Sequence, residues 1–304
     1  MFKRQTVKFH IIKSELSILI PCYNQICVEL VKALCTQCEN IEGLHYEIIV
    51  ADDGSSDEHS RIVNKEILEL DNIKYIIRKE NVGRSIIRNF LAKEASYKWL
   101  LFIDSDMSVD CDEYVINYLE QDDKYEVVYG GYSLASGDNS NLRFIYEKSA
   151  EKAHIAVKRN CHRYQDLHTA NLLISQRVIL SIPFDERIRN YGYEDVLLGK
   201  RLKENKIEIL HIDNPLILDN YESNYEYLEK TKEGLQTLKK FSNELNGYSH
   251  ILAISNRLSR FHQKWIIKLY WKLFQKHLEK KLIGKTPNMS TFIMYKLGYF
   301  ISIS

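Results

Sequence analysis

Residues 100–108, LLFIDSDMS, place two carboxylates one residue apart at the end of an apolar run. Alternate residues of an extended backbone share one face, so Asp104 and Asp106 can present their carboxylates to one divalent cation, or to a cation and a sugar hydroxyl. An isolated D-x-D is more typical of a solvated acidic turn. This pair follows a strongly apolar strand, at the position where open α/β sheets bind their ligands. We therefore predict a ligand site at this strand end.

A second acidic cluster, ADDGSSDE at residues 51–58, follows an earlier apolar run. Ser55 and Glu58 have the spacing of a capping box for the next helix, which leaves Asp52 or Asp53 to accept hydrogen bonds from a base or from ribose hydroxyls. Asp-Asp-Gly-Ser is also a common turn sequence, and Asp57 is an alternative helix cap. The spacing alone leaves both interpretations open.

Two arginines in the segment ENVGRSIIRNFLAKEA supply positive charge. Arg84 and Arg88 are four residues apart, so they share one face of a predicted helix near its amino terminus. Two guanidiniums together with the free N–H groups of a helix start suit a diphosphate. A solvated helix start is the alternative interpretation.

A third acidic pair, Glu194 and Asp195, opens the predicted helix in YGYEDVLLGKRLKENK. Acids at a helix start are favoured by the helix dipole, so a purely structural role is open. The functional interpretation is a general base that takes a proton from an attacking hydroxyl. The neighbouring Tyr191 and Tyr193 would then stack on a sugar ring.

The order of apolar patterns indicates how these residues are positioned. Short β-rich runs such as LSILIP, YEIIVA and WLLFID alternate with amphipathic helical segments through the first hundred residues, which is the rhythm of an α/β fold with a mainly parallel sheet covered by helices. The first strand leads into Pro21, Tyr23 and Asn24, so polar groups from several strand ends gather at one edge. EVVYGGY, NLLIS and IEILHI extend the same sheet, and the chain past residue 225 is almost wholly helical.

Composition excludes several classes of protein. The chain has 304 residues with 42 basic and 41 acidic side chains, so no overall field would attract nucleic acid. The amino-terminal segment does not resemble a signal peptide, and no apolar stretch is long enough to span a bilayer. The six cysteines include a single C-x-x-C, Cys35 and Cys38, so buried reduced thiols and a cytoplasmic location are expected.

Several common site motifs are absent from the sequence. No G-x-G-x-x-G follows the predicted strands, and neither a P-loop nor a G-x-S-x-G elbow occurs. These absences remove the main support for dinucleotide binding, P-loop chemistry and serine hydrolysis. His168 and His211 are lone histidines, which are more often satisfied structural residues than ligands.

In order, the segments SILIPCYN, VADDGSSD, ENVGRSIIRN, LLFIDSDM and YGYEDVLLGKRL resemble the motif series of family 2 glycosyltransferases, the inverting enzymes with the GT-A fold. The resemblance covers about residues 15–220. It implies a Rossmann-like catalytic domain over residues 1–224, followed by a helical extension over residues 225–304. It also implies a hexosyl- or N-acetylhexosaminyl-transferase of bacterial polysaccharide synthesis that uses a nucleotide-diphospho-sugar donor, with UDP as the expected nucleotide.

The resemblance also assigns roles to individual residues. Asp106 would be the first ligand of Mn²⁺ or Mg²⁺, with Asp104 as its partner toward the metal or the ribose. Asp195 would be the acceptor base and Glu194 a sugar or acceptor contact. The remaining substrate-binding expectations are Pro21, Tyr23, Asn24, Asp52 and Asp53 for the nucleoside, Arg84 and Arg88 for the diphosphate, and Tyr193 for the sugar. Bacterial members often carry a histidine where this chain has Leu218, so water or His211 is left as the substitute for a third metal ligand.

The carboxyl-terminal extension is strongly basic. From Arg257 to Lys296 the sequence has ten Lys or Arg residues and one acid, Glu279, among aromatic and aliphatic residues such as Trp265. Such a helix either lies on an anionic membrane surface or packs on the catalytic domain with its lysines reaching solvent. A glycan or lipid-linked acceptor, and peripheral attachment to the inner face of the cell membrane, are the corresponding expectations. A nucleotidyltransferase and a non-catalytic nucleotide-sugar-binding module remain the alternative functions.

Overall fold

The computed structural model describes residues 11–304. The strands within this range are β1 Glu15–Cys22, β2 His45–Asp52, β3 Ile73–Ile77, β4 Trp99–Ile103, β5 Met107–Ser108, β6 Val127–Tyr129, β7 Tyr132–Leu134, β8 Asn171–Ser175, β9 Ile209–His211 and β10 Leu216–Leu218. The helices are α1 Val28–Glu39, α2 Glu58–Val63, α3 Arg84–Glu94, α4 Tyr114–Leu119, α5 Leu142–Ala150, α6 Ala156–Arg159, α7 Gln176–Ser181, α8 Glu194–Glu204, α9 Asn224–Lys240, α10 His250–Arg260, α11 Lys264–Ile283 and α12 Met289–Ser302.

A seven-stranded sheet in the order β3-β2-β1-β4-β8-β6-β9 forms the centre of the fold. β1 pairs in parallel with both β2 and β4, whereas β8 runs antiparallel between β4 and β6. The central strands are apolar on both faces because helices cover both sides, as in β4, where all five residues are buried. The predicted mixed, mainly parallel α/β sheet is confirmed.

A second sheet of three short strands, β5-β10-β7, lies beside the first. β5 begins directly after the D-x-D segment, and its Met107 pairs with Leu218 of β10. This sheet holds the chain on the carboxyl side of Asp106 in an extended conformation. Strands of two or three residues carry too little periodicity to be recognised in a sequence, so this sheet was not predicted.

The helices predicted at Arg84 and at Glu194 are confirmed as α3 and α8. α1 turns Val28, Val31, Cys35 and Cys38 toward the sheet at helical spacing. The capping-box prediction at Ser55 and Glu58 is wrong. Asp57 is the cap of α2 instead, because its carboxylate accepts hydrogen bonds from the backbone N–H groups of His59 and Ser60.

The chain from residue 224 onward is helical, as predicted, and α9, α11 and α12 pack against one another. Leu228 of α9, Leu282 of α11 and Phe292 of α12 are buried together with Leu142 of α5. The carboxyl-terminal helices are therefore in contact with α5, which belongs to the part of the chain before residue 224. No helix between residues 11 and 304 is long and apolar enough to cross a bilayer.

The cysteines of the described residues are free thiols. Four of them are buried as expected: Cys22, Cys27, Cys35 and Cys38. Cys111 and Cys161 are exposed, so the expectation of buried thiols is wrong for these two. The expectation about the amino-terminal segment rests partly on residues 1–10, which lie outside the described range.

Candidate functional site

Asp104 sits at the carboxyl end of β4 and is held by two arginines of α3. Nη2 of Arg88 donates to Oδ1 of Asp104 at 2.6 Å, and Nη1 of Arg84 lies 3.7 Å from Oδ2. Burial alone would raise the pKa of Asp104, but the charges of Arg88 and Arg84 outweigh burial and lower it. Asp104 is therefore an ionised carboxylate at the edge of the sheet.

The same two arginines also contact Glu194 at the start of α8. Nη1 of Arg88 donates to Oε1 of Glu194 at 3.3 Å, and Nη1 of Arg84 lies 3.7 Å from the same oxygen. Arg88 is 1 % exposed, whereas 42 % of the Arg84 side chain is exposed. Arg88 is thus buried between two acidic motifs that are ninety residues apart in the chain. The guanidinium of Arg84 lies over the ring of Tyr191, and part of its surface is exposed.

Asp106 has a different environment from Asp104. Its nearest cation is Arg143 of α5, with Nη1 at 4.0 Å, and Arg143 is itself bound to Glu222. Burial and the neighbouring charge of Asp104 raise the pKa of Asp106. A carboxylate that faces a cavity beside a second carboxylate, and that shares its nearest cation with another acid, is stabilised by a bound divalent ion.

Asp195 lies at the first turn of α8, one residue beyond Glu194. Its Oδ1 accepts from the backbone N–H of Val196 at 2.7 Å, and its Oδ2 lies 2.9 Å from Nδ1 of His168. Burial would raise the pKa of Asp195, but the hydrogen bond from His168 and its charge lower it. Tyr193 precedes the helix in the left-handed conformation, with φ of 69°. This turn directs the two acids toward the same space as Asp104.

These residues line one cavity of about 390 Å³. Arg84, Asp104, Asp106, Glu194, Asp195 and Tyr193 are the predicted site residues found in its wall. Three separate segments, the end of β4, the start of α3 and the start of α8, therefore meet at one place. The convergence predicted from the open-sheet rule is present for the D-x-D segment, Arg84 and the Glu-Asp pair.

Asp53 is not in the wall of this cavity. It is 4 % exposed, and its carboxylate accepts from the backbone N–H groups of Val82 and Gly83. Burial raises the pKa of Asp53. Asp53 thus fixes the loop that carries Arg84, since Gly83 immediately precedes it. Asp52 is also buried, with Oδ1 bound to the N–H of Ser55 at 2.7 Å.

The other residues predicted to contact a nucleoside lie at the end of β1, outside the cavity wall. Tyr23 is 47 % exposed, and Pro21 is half-buried at the strand end, where it pairs with Ala51. Asn24 adopts φ of 52°, and its Oδ1 accepts from the N–H of Asp57 at 2.9 Å. These three residues therefore form a separate surface at the same edge of the sheet.

Several residues of the cavity were not predicted from the sequence. His168 was expected to be structural, yet it contacts Asp195 and has 40 % of its side chain exposed. Arg143, Glu222 and Lys230 form a linked set, in which Lys230 Nζ lies 2.9 Å from Glu222 Oε1. A lone histidine or a glutamate outside a motif carries no local signal, so only the fold identifies these residues.

The suggestion of His211 as a third metal ligand is wrong. His211 is buried, its Nε2 lies 2.8 Å from the carbonyl oxygen of Arg163, and its Nδ1 accepts from Nε of Arg159 at 3.3 Å. Both ring nitrogens are therefore occupied away from the D-x-D segment. Leu218, at the position where a histidine was considered, does line the cavity.

Residues 11–304 contain no group of three His, Cys, Asp or Glu side chains arranged to hold a metal ion. The oxygen donors that are present, Asp104 and Asp106, suit a hard divalent cation that takes its other ligands from substrate oxygens and water. This donor set fits Mn²⁺ or Mg²⁺ bound together with a diphosphate, and does not fit a metal held by protein alone.

A comparison with known families matches residues 17–178 to Glycosyl transferase family 2. The chain belongs to this family. The match covers more than half of the chain and includes the β1, β2, α3 and β4 motifs. The family 2 assignment predicted from the ordered motifs is confirmed.

Curated relatives of this chain include two polysaccharide synthases, and the chain spans less than a third of the length of each. The chain is 32 % identical to chondroitin synthase of Escherichia coli over 139 residues, which is 44 % of this chain and 20 % of that protein. It is 31 % identical to poly-beta-1,6-N-acetyl-D-glucosamine synthase of Staphylococcus aureus over 120 residues, or 38 % of this chain and 28 % of that one. An uncharacterized glycosyltransferase of Haemophilus influenzae is 26 % identical over 94 % of this chain and 96 % of its own length.

Solved structures with the same fold include Staphylococcus aureus TarS 1–349 in complex with UDP, with a TM-score of 0.51 and 18 % identity over 95 % of this chain and 90 % of that one. The mannosyltransferase PcManGT of Pyrobaculum calidifontis, in complex with GDP-Man and Mn²⁺, aligns with a TM-score of 0.53 and 10 % identity over 94 % of this chain and 84 % of that one. The GT-A fold of this glycosyltransferase is thereby established.

Proposed function

We propose that this glycosyltransferase moves a sugar from a nucleotide-diphospho-sugar, with UDP as the nucleotide, to a hydroxyl of a glycan or lipid-linked acceptor, with inversion at the anomeric carbon. The observation that gives this proposal its main support is that Asp104, Asp106 and Asp195 line one cavity. A hexose or N-acetylhexosamine is the transferred group, and synthesis of a bacterial surface polysaccharide is the process. The names of the two polysaccharide synthases among the relatives support this choice.

The reaction is one displacement in which Asp195 acts as the base. The acceptor oxygen attacks the anomeric carbon from the face opposite the diphosphate, and the bond from that carbon to the diphosphate oxygen breaks. The nucleoside diphosphate leaves with the bonding electrons, and the acceptor proton passes to Oδ2 or Oδ1 of Asp195. His168 and the Val196 N–H orient this carboxylate, and Glu194 holds the sugar or acceptor.

The donor is held at the sheet edge. Arg84 reaches the diphosphate with its exposed guanidinium face, and buried Arg88 positions Asp104 and Glu194 instead of touching the substrate. The nucleoside occupies the surface at the end of β1 formed by Pro21, Tyr23 and Asn24, with Asp52 and Asp53 shaping the neighbouring loops. We assign the roles in this way because Tyr23 and Arg84 are exposed, whereas Arg88 is buried.

Asp106, with Asp104 as its partner, would hold a divalent cation, Mn²⁺ or Mg²⁺, with the diphosphate. When bound, such an ion neutralises negative charge on the leaving group. Asp104 and Asp106 both line the cavity, which supports a cation shared between them. The Mn²⁺ named in the PcManGT complex supports the choice of metal.

The first test is a screen of UDP-, GDP- and dTDP-sugars for Mn²⁺-dependent thermal stabilisation, followed by an assay for slow donor hydrolysis. A ligand that prefers the native state raises the melting temperature. We expect a UDP-sugar to stabilise the protein and to be hydrolysed to UDP. Release of pyrophosphate from a nucleoside triphosphate would indicate a nucleotidyltransferase, and binding without any hydrolysis or transfer would indicate a binding module.

We also propose that the enzyme works at the cytoplasmic face of the cell membrane, bound through α11. Trp265, Leu269 and Leu273 follow one side of this helix at helical spacing and are 64 %, 51 % and 67 % exposed. The opposite side, with Leu278 and Leu282, is buried. Exposed apolar side chains of this size are typical of a binding surface.

The charge of α11 indicates which kind of surface its exposed apolar side would bind. Lys264, Lys268, Lys272, Lys276 and Lys280 recur every four residues along α11, and Glu279 is the one acid in the helix. Lysines beside exposed aromatic and aliphatic residues suit the headgroup region of a membrane that contains anionic lipids. A lipid-linked acceptor would be available at the same surface.

Vesicle flotation tests this attachment in the full-length protein. The variant with Trp265→Gln, Leu269→Gln and Leu273→Gln should lose flotation with vesicles of equal parts phosphatidylcholine and phosphatidylglycerol, while wild type floats. The matched control carries Ile62→Gln and Leu68→Gln, two exposed apolar residues outside α11. Equal flotation of the triple variant and wild type, or no flotation of wild type, would contradict the proposal.

A further inference from the structure

Lys296 of α12 lies in the wall of the same cavity as Asp195, although it comes from the helical extension. Its ammonium is 4.5 Å from the ring centre of Tyr146 and 4.5 Å from that of Phe292. The aromatic faces hold the ammonium by cation–π attraction and keep it at the cavity wall. Neither ring carries a negative charge that would neutralise it.

The other cations of the cavity wall are each paired with an acid. Arg84 contacts Asp104 and Glu194, whereas Arg143 and Lys230 both contact Glu222. His168 contacts Asp195. Among the described residues, Lys296 alone of these cations has neither a hydrogen bond nor an acid within ion-pair distance.

The ammonium of Lys296 is partly removed from water. Burial lowers the pKa of Lys296 to about 8, although the charge of Glu147 acts in the opposite direction. Glu147 accepts a hydrogen bond from the Tyr132 hydroxyl at 2.8 Å and does not pair with Lys296. A cation that is partly desolvated and lacks an anionic partner gains free energy when a ligand supplies an anion.

We propose that Lys296, between Tyr146 and Phe292, is the subsite for an oxyanion carried by the acceptor, either the carboxylate of a uronic acid or a phosphate. The inference rests on the proposed function, which assigns the donor diphosphate to Asp104, Asp106 and Arg84 and leaves the rest of the cavity to the acceptor. The two aromatic rings would contact the apolar face of the acceptor residue that carries the anion. The carboxyl-terminal helices would then select the acceptor, whereas the sheet edge binds the donor.

The test compares three small probes by calorimetric titration of the full-length protein: methyl β-glucuronide, glucose 6-phosphate and the neutral methyl β-glucoside. Each titration is done with saturating UDP and Mn²⁺, so that the diphosphate site is filled, and repeated without them. We expect one of the two anions to bind at least about tenfold more tightly than the glucoside. The preferred anion identifies the source of the charge.

Three variants assign the preference to Lys296. Lys296→Met, which keeps the apolar stem, should reduce the anion preference to about onefold, and Lys296→Arg should retain most of it. Lys285→Met, an exposed lysine outside the cavity wall, is the matched control and should behave as wild type. Lys296→Gln is a second neutral variant, and it decides the result alone if Lys296→Met does not fold.

The outcomes separate this inference from the proposed function. No anion preference in wild type, or a preference that survives both Lys296→Met and Lys296→Gln, would overturn the subsite. Donor hydrolysis should be unchanged in the control Lys285→Met, because this lysine lies outside the cavity wall. Loss of UDP binding and hydrolysis in wild type would instead contradict the proposed function, and the titrations without UDP would still decide the role of Lys296.

Discussion

His168 donates its Nδ1–H to Oδ2 of Asp195 at a distance of 2.9 Å. Because an ionised carboxylate only accepts hydrogen bonds, this contact places the proton of the imidazole on Nδ1. The pair is formed by residues from two segments of the chain, the loop before β8 and the first turn of α8. It couples the proposed base to a titratable group that has no recognisable sequence motif.

Asp195→Asn should nearly abolish transfer while leaving donor binding intact. The amide keeps the size of the side chain but cannot take the acceptor proton, so we expect kcat to fall by about 10²- to 10⁴-fold. UDP-dependent thermal stabilisation should stay at the wild-type value. Asp71→Asn, an exposed acid away from the cavity, is the control. Turnover within a few-fold of wild type would remove Asp195 from the role of base.

Titration of His168 should make kcat/KM increase with pH. Burial lowers the pKa of His168, but the hydrogen bond with Asp195 and its charge outweigh burial and raise the pKa above 6.5. Below the raised pKa the imidazolium neutralises Asp195 and weakens it as a base. Above it the imidazole is neutral, so kcat/KM should increase as the pH rises through the pKa of His168.

His168→Asn tests this coupling, because the amide can still donate a hydrogen bond but does not titrate. We expect the rise in kcat/KM near the pKa of His168 to disappear, with a loss of roughly tenfold at high pH from poorer orientation of Asp195. His59→Asn, on the exposed start of α2, should keep the wild-type profile. An unchanged pH profile in His168→Asn would show that the contact has only a structural role.

Asp106→Asn and Asp104→Asn should differ in their effects on the free energy of unfolding, although both affect metal binding. Arg143, the cation 4.0 Å from Asp106, is also held by Glu222, so Asp106→Asn should remove Mn²⁺-dependent UDP stabilisation with little change in the free energy of unfolding. Asp104→Asn leaves buried Arg88 with a weakened pair and should also lower the free energy of unfolding, by about 3 kcal/mol. Chemical denaturation and UDP titration with and without Mn²⁺ measure the two effects. Equal losses of stability in both variants would contradict this division.

Gly83→Ala should destabilise the protein more than Gly43→Ala. Both glycines have positive φ, 92° and 80°, so alanine costs roughly 1 kcal/mol at either position from backbone strain. At Gly83 the added Cβ would also overlap the backbone of Arg189, whereas nothing lies near the position of a Cβ at Gly43. We expect a loss of more than about 2 kcal/mol for Gly83→Ala in chemical denaturation. UDP affinity should fall as well, because Gly83 precedes Arg84. Similar losses at both positions would argue against a tight contact at this loop.

The sequence by itself determined the α/β class, the family, and the D-x-D, Arg84 and Glu194-Asp195 part of the cavity. Each of these depends on neighbouring residues: short β-rich apolar runs mark the longer strands, and the motifs lie directly at strand or helix ends. Parallel strands bring their carboxyl ends to one edge, so the convergence of these motifs follows from the order of elements alone.

Only the tertiary structure decided which side chains are paired with other protein groups and which face the cavity. Arg88 and Arg84 occur in one motif four residues apart, yet Arg88 is buried between Asp104 and Glu194 while Arg84 faces the cavity. His211 is held by the backbone of Arg163, whereas His168 meets Asp195. Contacts between residues far apart in the chain set the burial and the charge partners of each side chain, and no local pattern encodes them.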